Sequence, residues 1–322
     1  MEHNKIKIAI TQGDINGVGY EMILKTFAEP EMLDICTPII YGAKKAALFH
    51  AKTLGVQCQF NFIDKAEDAE DGKTNLLKCS EEDFRVEFGS STEASAKAAA
   101  LSQSRAASDL QAKLVSAMVC SPMEESPSDA LKIYTDGTVR AMFMDKTCAD
   151  AIDSEAIAAR IRLLHKCLRR DFRVSNPRIA VVTDKDDDRK DIITASLKQL
   201  FSEGIQAFGP YSVDTFTEHT DRSIFNGVLS VSTLKPEDGT VALLAGTPEV
   251  CVSPNTTAQY DIAGKGIADE SAMRNAIYLA IDACRFRREY DMATVNPLQK
   301  LYKERPDSGE KMRFSIPKKK EE

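Results

Sequence analysis

A chain of 322 residues, 43% hydrophobic and 28% charged, can close one large α/β unit or two lobes, and nothing in its composition marks fibre or disorder. The net charge of -7 and pI near 5.4 argue against a nucleic-acid or anionic-membrane partner, which needs a concentrated basic face. No apolar run approaches the roughly 20 residues that span a bilayer, and the start passes from a polar leader into an alternating strand, so the expected compartment is the cytoplasm.

The first strand is expected at Lys5 to Ile10, where Ile6, Ile8 and Ile10 alternate with polar or small residues. TQGDINGVG then turns the chain into a helix beginning near Tyr20. Strands at Thr37 to Tyr41 and Gln59 to Ile63, separated by a helix from Ala43 to Leu54, make the opening βαβαβ and favour a largely parallel sheet with flanking helices. Ser90 and Glu93 stand in capping-box spacing before an alanine-rich helix that runs to about Lys113. In that helix Ala98, Leu101, Ala106 and Leu110 form a core stripe.

A strand at Leu114 to Cys120 precedes a Ser/Pro/Asp/Glu-rich loop from Ser121 to Gly137, read as a crossing between lobes. The second α/β run has helices from about Ala151 to Arg170 and Lys190 to Glu203, the latter stopped by Gly204. Its strands fall at Arg178 to Val182, Gly227 to Val231 and Thr240 to Leu244, and a last helix covers Glu270 to Glu289. This order divides the chain into a first lobe of 1–120 plus about 255–290, a second lobe of about 121–254 and a tail of 291–322. The eight cysteines lie far apart without a C-x-x-C pair, as expected of reduced and mostly buried thiols.

Gly13, Gly17 and Gly19 follow a strand and precede a helix, where backbone N–H groups can face an anion, although the spacing is neither G-x-G-x-x-G nor a Walker loop. ITQGDINGVGYE (Ile10 to Glu21), GPYSVDTF (Gly209 to Phe216) and YDIAGKGIAD (Tyr260 to Asp269) resemble signature segments of the 4-hydroxythreonine-4-phosphate dehydrogenase (PdxA) family. The resemblance implies a two-lobed α/β fold like that of isocitrate and isopropylmalate dehydrogenases. It also implies a homodimer and a cleft where NAD meets a small phosphorylated hydroxy acid. The chemistry implied is oxidation of a secondary alcohol followed by decarboxylation, with a divalent metal polarising the oxygen.

The family's metal-binding histidines are missing. The segment that would carry H-x-P-L is deleted after Met142 to Thr147, Asp187 stands near the histidine of N-P-H-A-G-E, and Thr233 stands at that of Y-H-D-Q-G. Thr138 survives from G-H-T-E, with Gly137 in place of the histidine. Of I-R-T-S-V-D-H-G the arginine is Cys251, the aspartate Asn255 and the histidine Thr256; the asparagine of V-N-x-T is Ala242, and a lysine falls near Glu125. These changes remove imidazoles and positive charge from where a metal and a phosphorylated anion would sit. The acidic run Asp184 to Asp188 reads more simply as a solvated turn than as a Mg2+ or Ca2+ loop.

The expectation is a PdxA-like scaffold without metal-dependent dehydrogenase activity, kept for binding or regulation. The alternative is an active NAD-dependent dehydrogenase of the pyridoxal phosphate pathway with a rebuilt site. The candidate ligand-binding residues are Gly13, Asp14, Asn16, Gly17, Thr138, Asp187, Thr233 and Asn255. No catalytic residue and no metal ligand is assigned.

Overall fold

The computed structural model describes residues 5–80, 82–123, 131–144, 153–218, 224–232 and 236–295. Strands β1 (Ile6–Thr11), β2 (Cys36–Gly42), β3 (Phe60–Ile63), β4 (Thr74–Lys78) and β5 (Ala117–Val119) alternate with helices α1 (Gly19–Phe27), α2 (Glu31–Ile35), α3 (Lys44–Leu54) and α4 (Glu93–Gln111). Next come β6 (Lys132–Thr135), β7 (Arg140–Phe143), α5 (Ser154–Arg170), β8 (Arg178–Thr183), α6 (Lys190–Ser202), β9 (Gln206–Ser212) and α7 (Val213–Glu218). The chain closes with β10 (Gly227–Val231), β11 (Val241–Leu244), β12 (Val250–Pro254) and α8 (Ser271–Val295).

All twelve strands join one sheet in the order β3-β4-β2-β1-β5-β12-β11-β6-β7-β10-β8-β9. Pairing is parallel except for β12–β11, β11–β6 and β6–β7. Three successive antiparallel steps reverse the strand direction, so the parallel set of β7, β10, β8 and β9 runs opposite to the set of β1 to β5 and β12. The carboxyl ends of the two sets therefore face opposite ends of the sheet, and this placement governs the site described below.

Two main cores cover the sheet. One packs β1, β11, β12 and α1 against Met273, Ile277 and Ile281 of α8; the other packs Ile133, Leu229 and Ile179 against Ile157, Ile161 and Leu164 of α5. The α4 stripe behaves as expected, with Ala98, Ala106 and Leu110 buried and Leu101 packed against the core. The seven described cysteines are free, and only Cys36 and Cys167 are fully buried. No described helix is long and apolar enough to cross a membrane.

Four local expectations need correction. The α4 capping box is Thr92 and Ser95 rather than Ser90 and Glu93: Thr92 Oγ1 accepts from Ser95 N at 3.1 Å and Ser95 Oγ from Thr92 N at 2.9 Å. The strand expected at Leu114 to Cys120 shrinks to Ala117–Val119, because Leu114 N still bonds back to Asp109 O. The stretch read as loop to Gly137 contains β6, whose four residues alternate half-buried and buried. Helix α8 continues to Val295, past the expected start of the tail, because Thr294 returns its hydroxyl to Tyr290 O.

Candidate functional site

The loop after β1 is closed by its own chemistry. Asp14 is buried; its Oδ1 accepts from Asn16 N at 2.9 Å, and its Oδ2 accepts from Ser91 Oγ at 2.8 Å, Ser95 Oγ at 3.0 Å and Tyr260 Oη at 2.9 Å. Asn16 donates to Ser90 O and accepts from Glu87 N. The amides of Asp14, Gly17 and Val18 are spent on Pro122 O, Asp14 O and Ala258 O. Gly13, at φ +69, lies so close to Pro122 that a Cβ would come within 2.3 Å of its carbonyl oxygen. The expected anion-facing loop is thus a knot in which the amides of Asp14, Asn16, Gly17 and Val18 are already used, which leaves few donors for a dinucleotide phosphate.

The second signature segment explains the knot. Glu21, fully buried, accepts from Ala268 N at 2.8 Å, and Lys25 donates to Ala268 O at 2.6 Å while pairing with Glu21 at 3.2 Å. Val18 and Gly17 pack against Ala258, and Tyr260 reaches Asp14. The two segments that carry the family resemblance are the two halves of one joint.

At the same end of the sheet lies a cavity of about 230 Å³ lined by Tyr134, Thr135, Asp136, Ser230, Glu237 and Thr240 over the apolar face of β7, β8 and β10. Thr138 and Asn255 flank it. Thr138 donates through N and Oγ1 to Asp136 Oδ1, both at 2.7 Å, and Asn255 Nδ2 donates to Glu237 O at 2.8 Å and Thr240 Oγ1 at 3.2 Å. Burial raises the Asp136 pKa, but the bonds from Thr138 and Val139 outweigh it and leave the carboxyl below its ordinary value. Asp136 is therefore a poor general base. The cavity's charged groups among the described lining residues are two acids, Asp136 and Glu237.

Asp187 lies beyond β8, at the opposite end of the sheet. Contrary to a fully solvated acidic turn, its side chain is only 5% exposed. Arg189 grips it through Nε to Oδ1 at 2.8 Å and Nη2 to Oδ2 at 2.5 Å, and Thr183 Oγ1 adds a bond at 2.5 Å. The Arg189 bonds above all hold the carboxyl well below the usual carboxylate range. Arg189 Nη2 also donates to Val231 O at the end of β10. Both Asp187 oxygens are consumed, and among the described residues no three His, Cys, Asp or Glu side chains gather to hold a metal ion. The described residues around Asp187 do not fit a divalent metal. Thr233, Glu125 and His219 lie outside the described residues.

The structure thus groups Gly13, Asp14, Asn16, Gly17, Thr138 and Asn255 at one end of the sheet and leaves Asp187 at the other. Sequence reasoning missed Arg189, although the run DDDR put the partner two residues from Asp187. It also missed Asp136 and Glu237, which stand beside Thr138 and bind Asn255.

Fold and site together define an α/β protein with a largely parallel sheet, two packed cores and a cavity of polar rim and apolar floor where the strand direction reverses. Comparison with known proteins narrows this class. The family described as pyridoxal phosphate biosynthetic protein PdxA matches residues 34–147 and 138–280. A 4-hydroxythreonine-4-phosphate dehydrogenase of Bacteroides thetaiotaomicron is 35% identical over 359 residues, covering 98% of each chain. That of Sulfurihydrogenibium sp. is 28% identical, covering 88% of this chain and 100% of its own. The fold is that of the Klebsiella pneumoniae 4-hydroxythreonine-4-phosphate dehydrogenase, with a TM-score of 0.73 at 19% identity over 88% of this chain and 99% of that one. The chain belongs to the PdxA family.

Proposed function

We propose that this chain is a dehydrogenase that oxidises the secondary alcohol of a small phosphorylated hydroxy acid. The observation that carries this reading is the 35% identity, over 98% of both chains, to a protein named 4-hydroxythreonine-4-phosphate dehydrogenase. The expectation of a scaffold without dehydrogenase activity gains no support from these relatives, which carry dehydrogenase names. A nicotinamide cofactor, if bound, would supply the hydride acceptor for such an oxidation. The chain's own contribution is to position: the hairpin turn at Asp136 to Thr138 and the Asn255 amide hold the rim of the cavity rigid.

A homodimer completes the reading. One chain leaves Thr138 and Asn255 at one end of the sheet and Asp187 at the other, and a second copy, docked across the reversal, would bring the two sets together. A binding or regulatory role remains as a second reading because one observation favours it: Asp187 is locked to Arg189 rather than open to a ligand.

The test is NADH formation by the full chain from NAD and 4-hydroxythreonine-4-phosphate, with mass in solution measured on the same sample. Turnover by a species of twice the 35.5 kDa chain mass is expected. Absence of turnover while NAD or the phosphorylated acid raises the melting temperature would transfer the case to the binding reading. A monomer would remove the dimer.

A further inference from the structure

Away from the cavity, the end of α5 meets the last turns of α8 in a basic hollow. Residues 166–173 and 285–291 carry seven cations and three anions, within a chain of net charge -7. Most of the cations with nearby acids are committed: Arg287 Nε holds Asp171 at 2.7 Å, and Arg170 holds Asp291 at 3.1 Å. Arg169 and Arg173 are used differently. They line a hollow of about 220 Å³ together with Ser175, Phe286, Glu289 and Tyr290.

Each of these two guanidiniums rests over an aromatic ring, Arg169 over Tyr290 and Arg173 over Phe286, both 5.9 Å from the centroid. A cation over a ring face at this distance is drawn toward it while its N–H donors stay available. Arg169 makes no hydrogen bond or ion pair among the described residues. Arg173 has one ionic contact, Nε to Glu289 Oε2, at 3.5 Å. Arg173 also stands at φ +55, where the chain turns back after α5 and Val174 N reaches Leu168 O. Glycine takes that conformation at no steric cost, so an arginine there gives up stability for a side chain.

We propose that this hollow is a second ligand site that takes a small phosphate-type oxyanion, held by the edges of Arg169 and Arg173. Two planar forks converging on one volume suit tetrahedral oxyanions, and the Ser175 hydroxyl lines the same volume. The anion would be held from the end of α5 and the turn after it, beside the α8 rings of Phe286 and Tyr290. The site does not depend on the dehydrogenase reading, since it lies on other elements.

Titration calorimetry of the full chain with inorganic phosphate, and separately with phosphoserine, tests it. Saturable binding is expected, weakened about tenfold or more in Arg169→Gln, the scale of one lost charge-assisted bond. Arg173→Gly should weaken binding similarly while raising the melting temperature, and Glu289→Gln should tighten it. Tighter binding of phosphoserine than of phosphate, lost in the same variants, points to a phosphorylated metabolite; equal affinities point to the free ion. No binding at millimolar phosphate, or affinities unchanged in Arg169→Gln and Arg173→Gly, overturns the proposal.

Discussion

Asp187 shows how a single position can keep an acidic side chain and change its use. Standing near a ligand histidine of the family, it could in principle offer oxygen to a metal, yet Arg189, Thr183 and the Arg189 amide occupy both of its oxygens. A buried ion pair broken on one side leaves the other charge uncompensated. Asp187→Asn is therefore expected to lower unfolding free energy by about 2 kcal/mol at neutral pH, measured by urea titration. The pH dependence has a definite sign. The folded pKa lies below the ordinary value of 3.8, so the stabilisation is present above that value and is lost as pH falls through the folded pKa. The gap between wild type and Asp187→Asn should be constant above about pH 5 and close in stronger acid.

At the scale of elements, the joint between the loop after β1 and the segment before α8 explains why the two signature segments occur together. Gly17 is set against Ala258, where a Cβ would lie 2.6 Å from the carbonyl oxygen. Gly17→Ala should cost about 2 kcal/mol through overpacking against backbone that cannot move aside; a melting temperature within a degree of wild type would show the joint to be loose. The long elements were legible in the sequence. Strand β10 matches its expected span, and β1 and α6 end within one residue of theirs, because alternation, apolar periodicity and Gly204 mark them. Strands β4, β6, β7, β9 and β12 went unread. Most of them are short, and besides the local hairpins β6–β7 and β11–β12 they take their positions from pairing with strands distant in sequence, which no local pattern records. The site was legible only in part for the same reason: the family motifs located Thr138 and Asn255, but their bonds to Asp136 and Glu237 arise from the antiparallel register of β11 with β6 and β12.

For the whole molecule, the reversal at β12, β11 and β6 is the decisive feature. It joins two parallel sets into one sheet, places the signature joint and the cavity at one end, and sends Asp187 to the other. Family membership rests on the match over residues 34–147 and 138–280 and on the 35% identical relative, while Asp187 is committed to internal bonds. With both oxygens of Asp187 committed to Arg189 and Thr183, the proposed dehydrogenase activity is expected to need no divalent metal there. The most direct measurement is NADH formation from 4-hydroxythreonine-4-phosphate by the full chain after exhaustive EDTA treatment, and again after Mg2+ or Zn2+ is returned. Equal, measurable rates in the two conditions are predicted; a rate abolished by the chelator and restored by the metal would show that the protein depends on a divalent ion.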